Sequence, residues 1–180
     1  LVQPATARLQ IKSFSDLQAF HVSSRHTEIM TAAQRIFQNQ FLDSLGAKYL
    51  EQKRRLNPEL SMKHGAGYAD ERSMHYLLDS GFSYDELIEY GFVVLSHNIK
   101  EHGRYSTMVD LLKKRGFSID QITRPKMKTV EGKPTELPAL PLLALNKHVT
   151  YPLDINHTVT SFYGRSVIPD CPKEHSHVKT

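Results

Sequence analysis

Residues 148–167 read HVTYPLDINHTVTSFYGRSV, and the fold class turns on how this stretch alternates. Val149, Tyr151 and Leu153 interleave with His148, Thr150 and Pro152, and 159–167 is equally rich in β-branched and aromatic residues. A period of two belongs to a strand with one buried face, and the intervening Asp-Ile-Asn-His (154–157) supplies turn residues. A β-hairpin is predicted over 148–167. A lone hairpin is marginal in water, so more sheet is needed, and the expectation is that it lies outside the sequence given.

Upstream the period is helical. LLDSGFSYDEL (77–87) and LKKRGFSIDQI (112–122) repeat one device. Gly81 and Gly116 suit the left-handed residue that ends a helix, and the following Phe can fold back on the last turn. Ser83 with Glu86, and Ser118 with Gln121, have capping-box spacing and start the next helix. A looser relative, YLEQKRRLNPELSMK (49–63), offers Asn57 as a cap and Pro58 at the first helical position. Ile36, Phe37, Phe41, Leu42, Leu45 and Tyr49 follow near helical spacing and predict one or two amphipathic helices over 27–54. Residues 1–26 read as an arm, helical near 15–22. Between 123 and 141, Pro125, Gly132, Pro134, Pro138 and Pro141 argue against any regular element and for a linker or wrap. The expected fold is α+β. A helical subdomain (27–122) with helix-turn-helix repeats packs beside a small antiparallel β unit (146–180), with the Pro/Lys-rich stretch 123–145 between them.

The chain has 180 residues, 39% hydrophobic and 23% charged, which is globular in character. No apolar run approaches the roughly 18 residues of a membrane span. The single Cys171 has no internal disulfide partner and no second cysteine for a zinc site, which points to a reducing, cytoplasmic setting. The chain opens on Leu1 with no secretory pattern, and is read as an excised fragment. Ten histidines are scattered without metal-ligand spacing, so no metal or other cofactor is expected in this chain. No G-x-S-x-G elbow supports an independent hydrolase. Net charge is +4 and unevenly placed: residues 1–90 carry 10 Lys and Arg against 11 Asp and Glu, and residues 91–180 carry 13 against 8. Lys113, Lys114, Arg115, Arg124, Lys126 and Lys128 are opposed in that stretch only by Asp120. Such a surface attracts a polyanion, or is simply a solvated face.

Three blocks in order, KRRLNPELSMKHGAGYA (53–69), LLDSGFSYDELIEYGFV (77–93) and VTYPLDINHTVTSFYGRSV (149–167), resemble the N-terminal part of the catalytic core of bacterial DnaG-type primases, the region preceding the TOPRIM fold. In that family a helix ends in a basic residue and Gly-Leu, and a Phe-Pro-Ile strand pairs with one ending Gly-Phe-Gly-Gly-Arg; TYPL and SFYGR fill those places here. Arg55 stands where the family has glycine, Tyr163 replaces the first glycine of Gly-Gly-Arg, and 105–145 looks like an insertion. The resemblance implies a fragment of a DNA primase that binds single-stranded DNA template in a basic groove. Arg165 with Gly164, Arg54 with Lys53, Tyr163, Lys173 and Lys179 would be the contacts. Glycine would admit a phosphate closely and arginine would fork onto it. Mg²⁺ is expected on TOPRIM carboxylates beyond Thr180, so the chain alone is expected to be inactive. Ribonucleotides would be partners only through the parent protein, and a replicative helicase is a further possible partner. The G-F-S repeats also resemble RecX-type regulators, which implies an alternative: a helical module binding a recombinase.

Overall fold

The computed structural model describes residues 24–97, 107–169 and 177–180. The expected arm falls outside them except for 24–26, as do the helix near 15–22 and Lys173. Seven helices and seven strands occur among the described residues. The helices are α1 (Ser24–Asn39), α2 (Leu45–Arg54), α3 (Pro58–Lys63), α4 (Glu71–Asp79), α5 (Tyr84–Glu89), α6 (Thr107–Lys114) and α7 (Ile119–Ile122). The strands are β1 (Gly67–Ala69), β2 (Val93–Ser96), β3 (Arg124–Val130), β4 (Lys133–Leu143), β5 (His148–Ile155), β6 (Thr158–Ser166) and β7 (His177–Lys179). They form two antiparallel sheets, ordered β1-β5-β6-β7 and β2-β4-β3.

The helix boundaries follow from local chemistry. Gly81 and Gly116 adopt φ of +87° and +88°. The amides of Phe82 and Phe117 donate to Leu77 and Leu112, and those of Gly81 and Gly116 to Leu78 and Lys113, the paired bonds of a Schellman stop. Both capping boxes form, Ser83 with Glu86 and Ser118 with Gln121. Asn57 accepts from the Leu60 amide at 2.9 Å with Pro58 next to it. The predicted amphipathic stretch divides at 40–44, where Ser44 caps α2. The break shifts the helical phase, so Phe37 and Phe41 are buried while Leu42 and Leu45 are exposed.

Arg55 ends α2 in the left-handed region at φ +55°, where its amide donates to Glu51. A non-glycine residue there costs about 1–2 kcal/mol. Arg55→Gly is therefore expected to stabilise the chain by about 1 kcal/mol and raise Tm by about 2–4 °C for a chain of this size. Thermal denaturation without nucleic acid checks it, and an unchanged or lower Tm refutes it.

The hairpin 148–167 is present as β5 and β6, joined through Asn156 and His157 at φ +52° and +63°, the left-handed pair of a type I′ turn. The sheet it needs is within the chain, since β1 and β7 flank it. The segment 123–145, expected to be irregular, is the β3–β4 hairpin. The register explains how its prolines fit. Pro125 faces Pro138 and Pro134 faces Thr129, positions of one parity whose nitrogens point away from the partner strand. Pro141 has the other parity but lies past Ala139, which pairs with Arg124, so it stands where β3 has not yet begun. No proline nitrogen is asked to donate across the ladder.

The main core joins both sheets to α1. Phe37 packs edge-on against Phe162 of β6 at 5.1 Å and Phe92 before β2 at 6.3 Å, with Ile29, Met30, Leu77, Leu87, Leu143 and Leu145 around them. A smaller cluster, Phe41, Ala47, Leu50, Ala66, Tyr68 and Val149, seats α2 on the other face of the β1-β5-β6-β7 sheet. Arg25 of α1 bridges Glu86 at 2.5 Å and lies 4.5 Å from the Phe82 ring, tying the first repeat to the core helix.

Candidate nucleic-acid interface

Alternation along β6 separates the Gly-Arg pair. Phe162, Gly164 and Ser166 face the core, whereas Tyr163 and Arg165 face outward. A Cβ on Gly164 would lie 2.3 Å from Leu145 Cδ2 and 3.3 Å from His148 Cδ2. Close packing against Leu145 therefore accounts for the glycine, which corrects the expectation that it admits a phosphate. Nor does the strand end on Gly-Arg, since β6 runs on to Ser166.

On the outer face cross-strand pairing fixes the neighbours. Val149 and His177 flank Arg165, and Tyr151 and Lys179 flank Tyr163. Paired residues share a face, so Arg165, Tyr163, His177, Lys179 and Tyr151 form one patch. The C-terminal end of α2 adds to it. Arg165 Nε donates to Tyr49 Oη at 3.1 Å, and Arg54 Nε donates to the same oxygen at 3.0 Å. The Arg54 guanidinium also lies 5.6 Å from the Tyr49 ring. Lys53 is exposed one position earlier, and Lys179 is exposed on the edge strand β7. The structure thus brings Arg54, Arg165, Tyr163 and Lys179 to one surface, with Lys53 in the turn that carries Arg54.

Tyr49 and His177 are the residues that sequence reading missed. Tyr49 was readable only as part of an apolar helix face, and His177 only as one of two tail histidines. Arg165 Nη1 donates to His177 Nε2 at 3.1 Å. A guanidinium can only donate, so Nε2 is the acceptor in this contact, and Nδ1 on the other side of the ring meets the Tyr163 hydroxyl. Burial pushes the Tyr49 phenol up, but hydrogen bonds from Arg165 and then Arg54 outweigh it, and its pKa rests below the ordinary tyrosine value.

The electrostatic character follows from the partners. Arg25, Arg72, Arg115 and Arg124 each meet a carboxylate. Arg54 and Arg165 meet a phenol and an imidazole, and among the described residues neither meets a carboxylate. Two forked cations are therefore held close together with no carboxylate beside them among the described residues, a geometry suited to an anion with several acceptor oxygens. Among the described residues no group of three or more His, Cys, Asp or Glu could hold a metal ion. No described helix is long and apolar enough to cross a membrane.

The sequence matches no family model and no curated protein. The fold is similar to that of the RNA polymerase domain of Mycobacterium tuberculosis primase DnaG. The structure of that domain in complex with a double-stranded DNA oligomer with a 6-nucleotide overhang aligns at 17% identity and a TM-score of 0.53, over 88% of this chain and 38% of that one. The structure without DNA aligns at 18% identity and a TM-score of 0.52, over 87% and 40%. A further complex, with double-stranded DNA, gives 18% and 0.52. The chain spans about two-fifths of those chains. At this identity the likeness is one of fold, and a fold with two β-sheets does not support the all-helical RecX-type alternative. The α+β fold shared with the primase RNA polymerase domain is the conclusion that fold and comparison reach together.

Proposed function

We propose that this chain is the N-terminal subdomain of a primase-type catalytic core, and that it holds single-stranded DNA template across the outer face of the β1-β5-β6-β7 sheet. The observation that carries this reading is the convergence of Arg54 and Arg165 on the Tyr49 hydroxyl. Support comes from the similar folds, two of which were crystallised with DNA. In this reading Arg165 and Arg54 grip backbone phosphates, Lys53 and Lys179 add long-range attraction, and Tyr163 and Tyr151 offer rings to unstacked bases. These contacts hold a strand in register without reading its sequence. Primer synthesis, with its metal ions and ribonucleotides, would belong to a TOPRIM portion of the parent protein, where a replicative helicase partner would also act.

Fluorescence anisotropy with a labelled single-stranded oligonucleotide tests the assignment. Arg165→Ala is expected to lower affinity about tenfold, which is about 1.4 kcal/mol, and to reduce the slope of log affinity against log salt by about 0.7 for one lost phosphate contact. Arg54→Ala should behave alike. Arg72→Ala, whose charge is already matched by Asp70 at 2.9 Å, should change neither quantity. If Arg165→Ala leaves both unaltered, the outer face is not the binding surface.

A further inference from the structure

The β3–β4 hairpin projects from its sheet. Among the described residues β2 pairs with β4 only as far as Ser96 opposite Leu140, which leaves 125–138 as a two-stranded ribbon. Its residues are exposed apart from half-buried Thr135 and Leu137, and the turn at Glu131 and Gly132 has φ of +50° and +78°, again the left-handed pair of a tight hairpin. Exposed ribbons of this kind are marginal alone, and the base of this one is clamped. His97 Nε2 lies 3.2 Å from both the Lys126 and Leu137 carbonyl oxygens, so it donates to the pair, and Lys126 Nζ donates to Leu95 O at 2.5 Å.

The two faces of the ribbon differ. Lys126, Lys128 and Val130 stand opposite Leu137, Thr135 and Lys133, so one face carries three lysines and no carboxylate. Pro125, Met127 and Thr129 stand opposite Pro138, Glu136 and Pro134, so the other face carries the sole strand carboxylate; Glu131 sits in the turn. Lys126 and Lys128 are about 7 Å apart along the strand. A two-stranded ribbon is narrow enough to enter the major groove of a duplex, roughly 12 Å wide, and cations on one face then meet one phosphate wall while the opposite face remains free.

We propose that the β3–β4 ribbon is a second nucleic-acid contact, which takes the phosphate backbone of a duplex through Lys128 and Lys133. It is separate from the surface around Arg165, which lies on the other sheet. The inference extends the nucleic-acid reading given above, but its test does not depend on single-strand binding.

The test is anisotropy of the intact chain with three labelled probes: a single strand, a blunt duplex, and a duplex with a single-stranded overhang. Lys128→Gln/Lys133→Gln should bind the blunt duplex about tenfold more weakly, with a salt slope lower by about 1.8, two phosphate contacts at 0.9 each, and should bind the single strand as before. The charge-preserving Lys128→Arg/Lys133→Arg should restore duplex binding. Arg165→Ala should give the opposite pattern, a loss on the single strand and little on the blunt duplex. If single-strand binding is absent while duplex binding persists and falls with the glutamine pair, the ribbon assignment stands and the template assignment fails. If the glutamine pair leaves duplex binding unchanged, or weakens all three probes equally, the ribbon assignment is overturned, and a ribbon that docks a protein instead would give the former result.

Discussion

Replacing Phe37 by alanine is expected to destabilise the chain by about 3–5 kcal/mol. Phe37 is 1% exposed on α1, and its ring touches both Phe162 of the sheet that carries Arg165 and Phe92 at the start of the other sheet. Truncation removes the buried ring and opens a cavity at the junction of three elements. Neighbouring Leu77, Leu145 and Met74 are themselves buried and have little room to move in. The loss is a large part of the 5–15 kcal/mol that holds an ordinary domain. Chemical denaturation should show a lower midpoint with a similar m-value, and Tm should fall by roughly 6–20 °C. A change below about 1 kcal/mol would mean that the two sheets do not share this core.

The second large effect comes from the opposite side of the same contact. A Cβ on Gly67 of β1 would stand 2.6 Å from Phe37 Cβ, 2.9 Å from the Phe37 carbonyl carbon and 2.9 Å from Thr150 Oγ1. Two of these belong to a helix at its closest approach to the strand, so neither can swing aside as a side-chain tip does. Gly67→Ala is expected to cost about 3 kcal/mol by forcing α1 off β1. Alanine at position 37 retains both clashing atoms, so the penalty should largely persist in a Phe37→Ala background. Urea titration of the single and double variants decides it. If Gly67→Ala is as stable as the parent, the helix does not lie so close to the strand.

What could be read in the sequence is what is encoded within four or five residues. The left-handed Gly81 and Gly116 and the two capping boxes depend on neighbours alone, and they occur where spacing predicts them. The hairpin 148–167 was readable because alternation and turn residues agree. The β3–β4 hairpin was not, because proline was read by type rather than by parity. Whether a proline breaks a strand depends on which edge its nitrogen faces, and that requires the register. The candidate site was readable in the same partial way. Arg54 and Arg165 could be named, but Tyr49 and His177 join them only after α2 crosses the sheet and β7 adds to its edge. Gly164 could be named for the wrong reason, since its inward neighbour Leu145 is distant in pattern though close in space.

The tethering of Arg165 to Tyr49 and His177 has a thermodynamic consequence for the free protein. An arginine side chain carries about 2 kcal/mol of rotamer entropy, and bonds to Tyr49, together with the contact to His177, restrict much of it before any ligand arrives. Folding therefore bears that ordering. A ligand on this patch would then have little left to order. The patch is ordered in the empty fold, and a polyanion held there would stabilise the fold by the mass action of its binding.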